Sequence, residues 1–283
     1  MEQAIVMGHY EHLLGIWSAP ASCNGNTAVI MVTAGMLHHA GPFRLHVDLA
    51  RGLSAKGIPS LRFDLSGIGE SFGVGVGGRS LDRAADEIGQ AIDWLAAHHG
   101  ITNVILFGLC SGADDAIAVA MNDPRIVGVI AMDGCGYRTP KYYWHRFKQH
   151  YLPRMLKPTK WHSMVRRRFH RNHTPTSLTP GDDIREFPTR DVAESEIASL
   201  IEQGTWLHFV YTSGVGDYYN HSAQFAEMFP RLKESSSVST RFFPEMDHVA
   251  FLCEDRETLV DHVTKEIAAK IVRTEEPVVL QPS

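Results

Sequence analysis

The four cysteines of this 283-residue chain, Cys23, Cys110, Cys135 and Cys253, stand far apart, with neither a CxxC pair nor a His/Cys cluster at metal-ligand spacing. That scarcity argues against a zinc site and fits reduced thiols in a cytoplasmic protein. Long apolar runs are also missing. None approaches the ~20 residues that a bilayer crossing requires, and the opening Met1-Glu2-Gln3-Ala4-Ile5-Val6 lacks the basic and apolar blocks of an export signal, so neither a membrane span nor secretion is expected. There is no overall excess of positive charge: the net charge of −5 argues against nucleic acid as a partner. The glycine-rich run from Gly73 to Gly78 has no lysine and not the order of a phosphate-cradling loop, and no cofactor is expected.

What is present is an alternation of apolar strands and amphipathic helices. Thr27–Thr33, Ile58–Asp64, Asn103–Leu109, Ile126–Asp133, Trp206–Thr212 and Val238–Phe243 read as strands, most of them apolar enough to be buried on both faces, and Leu13–Trp17 as a further one. Helical spacing recurs from Phe43 to Lys56, Arg83 to His98, His221 to Lys233 and Arg256 to Val272. The pattern predicts an α/β fold, a doubly wound, mostly parallel sheet with helices on both sides. In such sheets ligands bind beyond the carboxyl ends of the strands.

Regularity stops between 134 and 204, where six prolines and an aromatic-basic mixture predict an inserted, mainly helical cap on a core of 1–133 and 205–283. From Arg138 to Arg171 there are eleven Lys or Arg and no Asp or Glu, a basic island on an acidic body. Arg166, Arg167 and Arg168 are its densest part and are candidates for binding an anionic substrate or carrier. A solvated face that keeps the cap soluble, and a membrane-surface role, explain the charge equally well.

The strand Asn103–Leu109 runs straight into Gly108-Leu109-Cys110-Ser111-Gly112 and then an Ala-rich helix, the order of strand, sharp turn and helix in a nucleophile elbow. Cys110 stands at the apex, since the spacing of the two glycines puts it there rather than Ser111. The free N–H groups that begin the helix would stabilise a thiolate and later an oxyanion. Asp217 and His248 follow at the ends of later strands, in the order nucleophile, acid, base. A thiolate attacks an acyl carbon, an imidazole moves a proton, and a carboxylate fixes the imidazole's tautomer. Asp133, which also ends a strand, is the rival acid, or simply caps the turn into the insertion. Asp247 reads as a turn residue. An oxyanion hole would use the amides of Ser111 and Met36, and His38 and His39 are either substrate contacts or solvated loop residues.

Together with the loop Asp64-Leu65-Ser66-Gly67-Ile68-Gly69-Glu70-Ser71 and with Ser213-Gly214-Val215-Gly216-Asp217, these motifs resemble the α/β-hydrolase superfamily in its serine-aminopeptidase-like and exosortase-associated hydrolase branches. The chain departs from most members in its apical cysteine, a feature shared with dienelactone hydrolases and some thioesterases and acyltransferases. It departs also in Thr33-Ala34-Gly35, where many members have His-Gly. The resemblance implies a hydrolase. A good nucleophile that is also a good leaving group suits an ester, thioester or lactone, with the acyl group carried on Cys110 and passed to water. The basic cap suggests a small acyl substrate linked to coenzyme A or to a carrier protein. Acyl transfer to an amine, hydroxyl or thiol uses the same residues, and a binding or scaffold protein with a relic cysteine is the non-enzymatic alternative.

Overall fold

The computed structural model describes residues 1–22, 25–74, 80–148 and 187–275. Cys23, most of the glycine-rich run, Arg166–Arg168 with the rest of the basic island beyond residue 148, and the tail after 275 lie outside the described residues, so the segment expected to form a cap is described only at its two ends.

Eight strands form one sheet in the order β1-β2-β4-β3-β5-β6-β7-β8. Their ranges are β1 Glu2–Met7, β2 Leu13–Ser18, β3 Thr27–Val32, β4 Ser60–Phe63, β5 Asn103–Leu109, β6 Ile126–Met132, β7 Trp206–Thr212 and β8 Val238–Phe243. The strands β4, β3, β5, β6, β7 and β8 are mutually parallel, and β1 and β2 are added antiparallel at one edge. β3 is buried along its whole length, as its unbroken apolar run Thr27-Ala28-Val29-Ile30-Met31-Val32 requires. Alternate residues feed opposite faces: Ala28, Ile30 and Val32 join one core, Val29 and Met31 the other.

The first core is closed by α2 (Ser80–His99), α3 (Ser111–Ala120), α5 (Arg190–Glu202) and the short α6 (Gln224–Met228), the second by α1 (Leu45–Ala55) and α7 (Cys253–Glu275). The doubly wound arrangement read from the sequence is therefore present. The short helix α4 (Pro140–Arg146) opens the irregular region, with Thr139 capping it by accepting a hydrogen bond from the Tyr142 amide.

Three elements differ from the sequence reading. β1 was not anticipated, because only Ile5 and Met7 of its six residues face inward and no alternation of useful length results. The helix expected over 221–233 is reduced to α6: Phe229, which precedes Pro230, has left the helical region (φ −127°, ψ 75°), as the proline ring demands of its neighbour. Finally α5, assigned to the inserted cap, buries Ala193, Ile197 and Leu200 in the first core and so covers the sheet like any other flanking helix.

The chain leaves β3 for β4 on one side and reaches β5 on the other, so a crevice opens at the carboxyl ends of β3 and β5. Gly35 follows β3 and Cys110 follows β5, which puts them at that crevice. Among the described residues no helix is long and apolar enough to cross a membrane.

Two imidazoles are buried in the second core's layer. His208 of β7 sits between Ser239 Oγ (2.7 Å) and His262 Nε2 (2.9 Å), and His46 of α1 stands edge-on to Phe107. Burial disfavours their charged forms, lowering His208 to about 3 and His46 to about 4 from an ordinary 6.5. The unfolded chain binds these protons more readily, so the associated stability is complete above pH 6.5 and is lost as pH falls towards 4. Urea midpoints measured from pH 7.5 down to 4.5 are expected to fall. His208→Gln, which cannot take up the proton, is expected to fall less steeply, and an identical slope in both proteins would refute the assignment.

Candidate active site

Cys110 is held at φ 57°, ψ −123°, a backbone conformation that L-residues rarely adopt, at the junction of β5 and α3. Its two glycines make the turn possible. A Cβ on Gly108 would run into the backbone of Gly112, and a Cβ on Gly112 would meet the carbonyls of Val32 and Thr33. The Cys110 amide donates to Met132 O (2.9 Å), which anchors the turn to the end of β6, and the side chain remains partly exposed.

His248, in the loop after β8, reaches the sulfur from the other direction. Its Nδ1 lies 2.8 Å from Asp133 Oδ2, and its ring is also within hydrogen-bonding reach of Cys110. With Nδ1 committed to the carboxylate, Nε2 is the nitrogen left for the sulfur. The hydrogen bond to Asp133, then that to Cys110, favours the imidazolium and raises His248 to about 9 against the opposing effect of burial.

Asp133 is completely buried at the end of β6, itself at φ 50°. Its Oδ1 accepts from the Thr212 amide (2.7 Å) and its Oδ2 from Thr212 Oγ1 (2.6 Å) as well as from His248. The carboxylate is thus aimed by the end of β7. The close approach of the His248 loop to β7 needs Gly214, where a Cβ would overlap the His248 backbone.

The acid favoured from the sequence, Asp217, is not the one that meets the imidazole. It lies exposed beyond β7, where its backbone carbonyl accepts from Arg138 Nε (2.7 Å) and Tyr142 Oη (2.7 Å). The chain turns through Ser213–Val215 immediately after the strand and carries Asp217 away, so the acid one strand earlier has the shorter path. Thr212 has no sequence signature that would have singled it out. Asp247 accepts from the amides of Val249 (2.8 Å) and Phe251 (2.9 Å), closing the turn that contains His248.

The loop after β3 is fastened to both neighbours. The Gly35 amide donates to Ser111 Oγ (2.9 Å), and the amide of Leu37 donates back to Ala34 O (3.0 Å). The amides of Met36 and Ser111 lie beside these two and have no partner among the described residues. His39 is half-buried and bonded through its amide and its Nδ1 (2.9 Å) to Asp64, which also accepts from the Glu70 amide (3.0 Å). Burial pushes the Asp64 carboxyl up, but these bonds prevail and hold it below the usual range. His39 therefore braces the loop, whereas His38 is exposed. A cavity of about 480 Å³ opens beside the elbow, lined by Ser111, Asp114, Ile117, Cys135, Pro188 and Ile197 among others. No group of three His, Cys, Asp or Glu suited to a metal occurs among the described residues.

Because Asp133 is the partner of His248, Asp133→Asn is expected to lower the imidazole's titration from about 9 towards 6.5, while Asp217→Asn leaves it in place; NMR titration of the ring reads both. The bond contributes stability that is complete below pH 6.5 and fades as pH rises through about 9, so the loss on Asp133→Asn is larger at pH 6 than at pH 9.5.

With this geometry in hand, the chain compares clearly with known proteins. Residues 25–196 match the profile of the family described as serine aminopeptidase, S33. No curated protein sequence matches. Among solved structures, an esterase of Pyrococcus furiosus superposes with a TM-score of 0.60 at 15% identity, covering 95% of this chain and 92% of that one. A dienelactone hydrolase of Anabaena variabilis does so at 0.57 and 14%, covering 94% and 95%. The α/β hydrolase domain-containing protein 10 of mouse follows at 0.53 and 12%, covering 94% and 99%. These likenesses concern the fold, while the profile covers more than half of the chain: the protein is a hydrolase belonging to the S33 serine-aminopeptidase-like family of α/β hydrolases.

Proposed function

We propose that this hydrolase uses Cys110 as its nucleophile on an ester, thioester or lactone, with His248 as acid and base and Asp133 as the residue that orients it. The observation that carries the proposal is the imidazole shared between sulfur and buried carboxylate, with both neighbours favouring its charged form. A proton resting on His248 leaves Cys110 as a thiolate, the reactive form.

The steps follow from the positions of these groups. The thiolate attacks the carbonyl carbon, and the electron pair of the C=O moves to oxygen, where the amides of Ser111 and Met36, unpartnered among the described residues, stabilise the charge. Collapse of this intermediate expels the leaving group, which takes the proton from His248 Nε2. The neutral imidazole then removes a proton from water as its oxygen attacks the acyl-cysteine. The acid departs, and the sulfur leaves as thiolate facing the protonated ring. A thiolate is expelled more readily than an alkoxide, which supports thioesters, activated esters and lactones over amides. Two fold neighbours, named as an esterase and a dienelactone hydrolase, support the same substrate class. The charge between Arg138 and Arg171 supports an anionic acyl carrier, such as a phosphopantetheine thioester or an acidic carrier protein.

Intact-mass measurement after mixing with p-nitrophenyl butyrate and with a panel of acyl thioesters is expected to show one transient acyl adduct, absent from Cys110→Ala. Turnover by that variant is expected to fall by roughly 1,000-fold or more. An adduct that survives in water but discharges to an added amine or thiol makes the enzyme a transferase instead. Undiminished turnover by Cys110→Ala, or slow alkylation of wild-type Cys110 by iodoacetamide at neutral pH, refutes the thiolate.

A further inference from the structure

Arg256 occupies an odd place for a cation. It lies in the first turn of α7, where the positive end of the helix dipole disfavours it and where Glu254 and Asp255 are the suitable residues. Its side chain is nonetheless mostly buried, 14% exposed, and every nitrogen of the guanidinium is engaged. One terminal nitrogen, Nη1, donates to Ala250 O (3.0 Å) and to Phe251 O (3.1 Å), Nε donates to Asp48 Oδ2 (3.2 Å), and Nη2 reaches Cys253 Sγ (3.4 Å).

The acceptors matter more than their number. Ala250 and Phe251 end the turn that holds His248, and Ala250 is itself at φ 48°, so this stretch is strained and needs external support. From inside, the Asp247 carboxylate holds the amides of Val249 and Phe251; from outside, Arg256 holds the carbonyls. Asp48 lies in the first turn of α1, directly downstream of the loop that carries Met36. The same gap is bridged by an edge-to-face pair, Phe43 on Phe251 at 4.9 Å, although both rings are more than half exposed. Phe43 (φ 48°) and Arg44 (φ 67°) are strained like Ala250, so a distorted backbone on each side is fixed across one narrow junction.

We propose that Arg256 and Asp48 form a positioning clamp, which holds the His248 turn in register with the loop carrying the Met36 amide. Neither residue touches the reacting atoms. The clamp sets the spacing between the proton donor and the Met36 amide, two groups that arrive from opposite ends of the chain. It rests on the proposed role of Cys110 and His248, but its effect on the imidazole is measurable without turnover.

The test compares Arg256→Met, Arg256→Lys and Asp48→Asn with wild type by NMR titration of His248 and by acylation kinetics with p-nitrophenyl butyrate. The charged groups facing the ring, Asp133 and Cys110, are unchanged in all of them. In Arg256→Met the His248 titration is expected to move from about 9 towards 6.5. Its acylation rate is expected to fall by about 10- to 100-fold, with little change in KM, as befits a displaced catalytic group. Arg256→Lys restores part of both, and Asp48→Asn adds nothing to Arg256→Met. A folded Arg256→Met with wild-type titration and rate overturns the clamp. Should wild type show no acylation through Cys110, the reading of the reaction fails, and the titration shift alone then decides on the clamp.

Discussion

The site depends on one steric constraint, the approach of β5 and α3 to within backbone contact around Cys110. Side chains at 108 or 112 would push the helix away from the sheet, and the sulfur would lose both its perch and the amides at the helix start. The positive φ of Cys110 costs about 1–3 kcal/mol, which the surrounding hydrogen bonds and the buried strand must offset. Asp133 repeats the device one strand along, with its own φ of 50°. Two adjacent strands thus end in strained residues that turn their side chains towards the same imidazole, and the sheet's register sets how far apart those residues stand.

How much of this was legible in the sequence follows from where the information lies. The elbow is local: a buried strand, two glycines and a helix-forming segment are contiguous, and their order alone points to Cys110. His248 could be read because it follows the last strand of an alternating pattern whose ligand side is common to all its members. The choice between Asp133 and Asp217 was not local. Both follow strands, and what separates them is the path taken after Thr212, where Gly214 lets the His248 backbone come close and Thr212 takes up Asp133 from the side. Nothing in the spacing of residues announces either contact.

The same reasoning explains the supports around the site. Asp64 was visible as part of a loop signature, but its bond to His39 joins the ends of two neighbouring strands and appears only once these are paired. Arg256 and Asp48 are 208 residues apart and belong to helices that meet only because both cover the same face of the sheet. Local patterns of apolar residues specify which faces are buried. They do not specify which polar side chains will close the gaps between loops after burial has brought those loops together.

The carboxylate bonded to His248 comes from the end of β6, so the segment beyond β7 meets the His248 turn through the close backbone approach at Gly214. Asp217 there offers its main-chain oxygen to Arg138 and Tyr142 at the root of the irregular region, a bond that any residue type at 217 can supply. Position 217 can accordingly drift in sequence, or accept a grafted side chain that retunes what the enzyme takes in, while Gly214 three residues earlier must stay small for the His248 backbone.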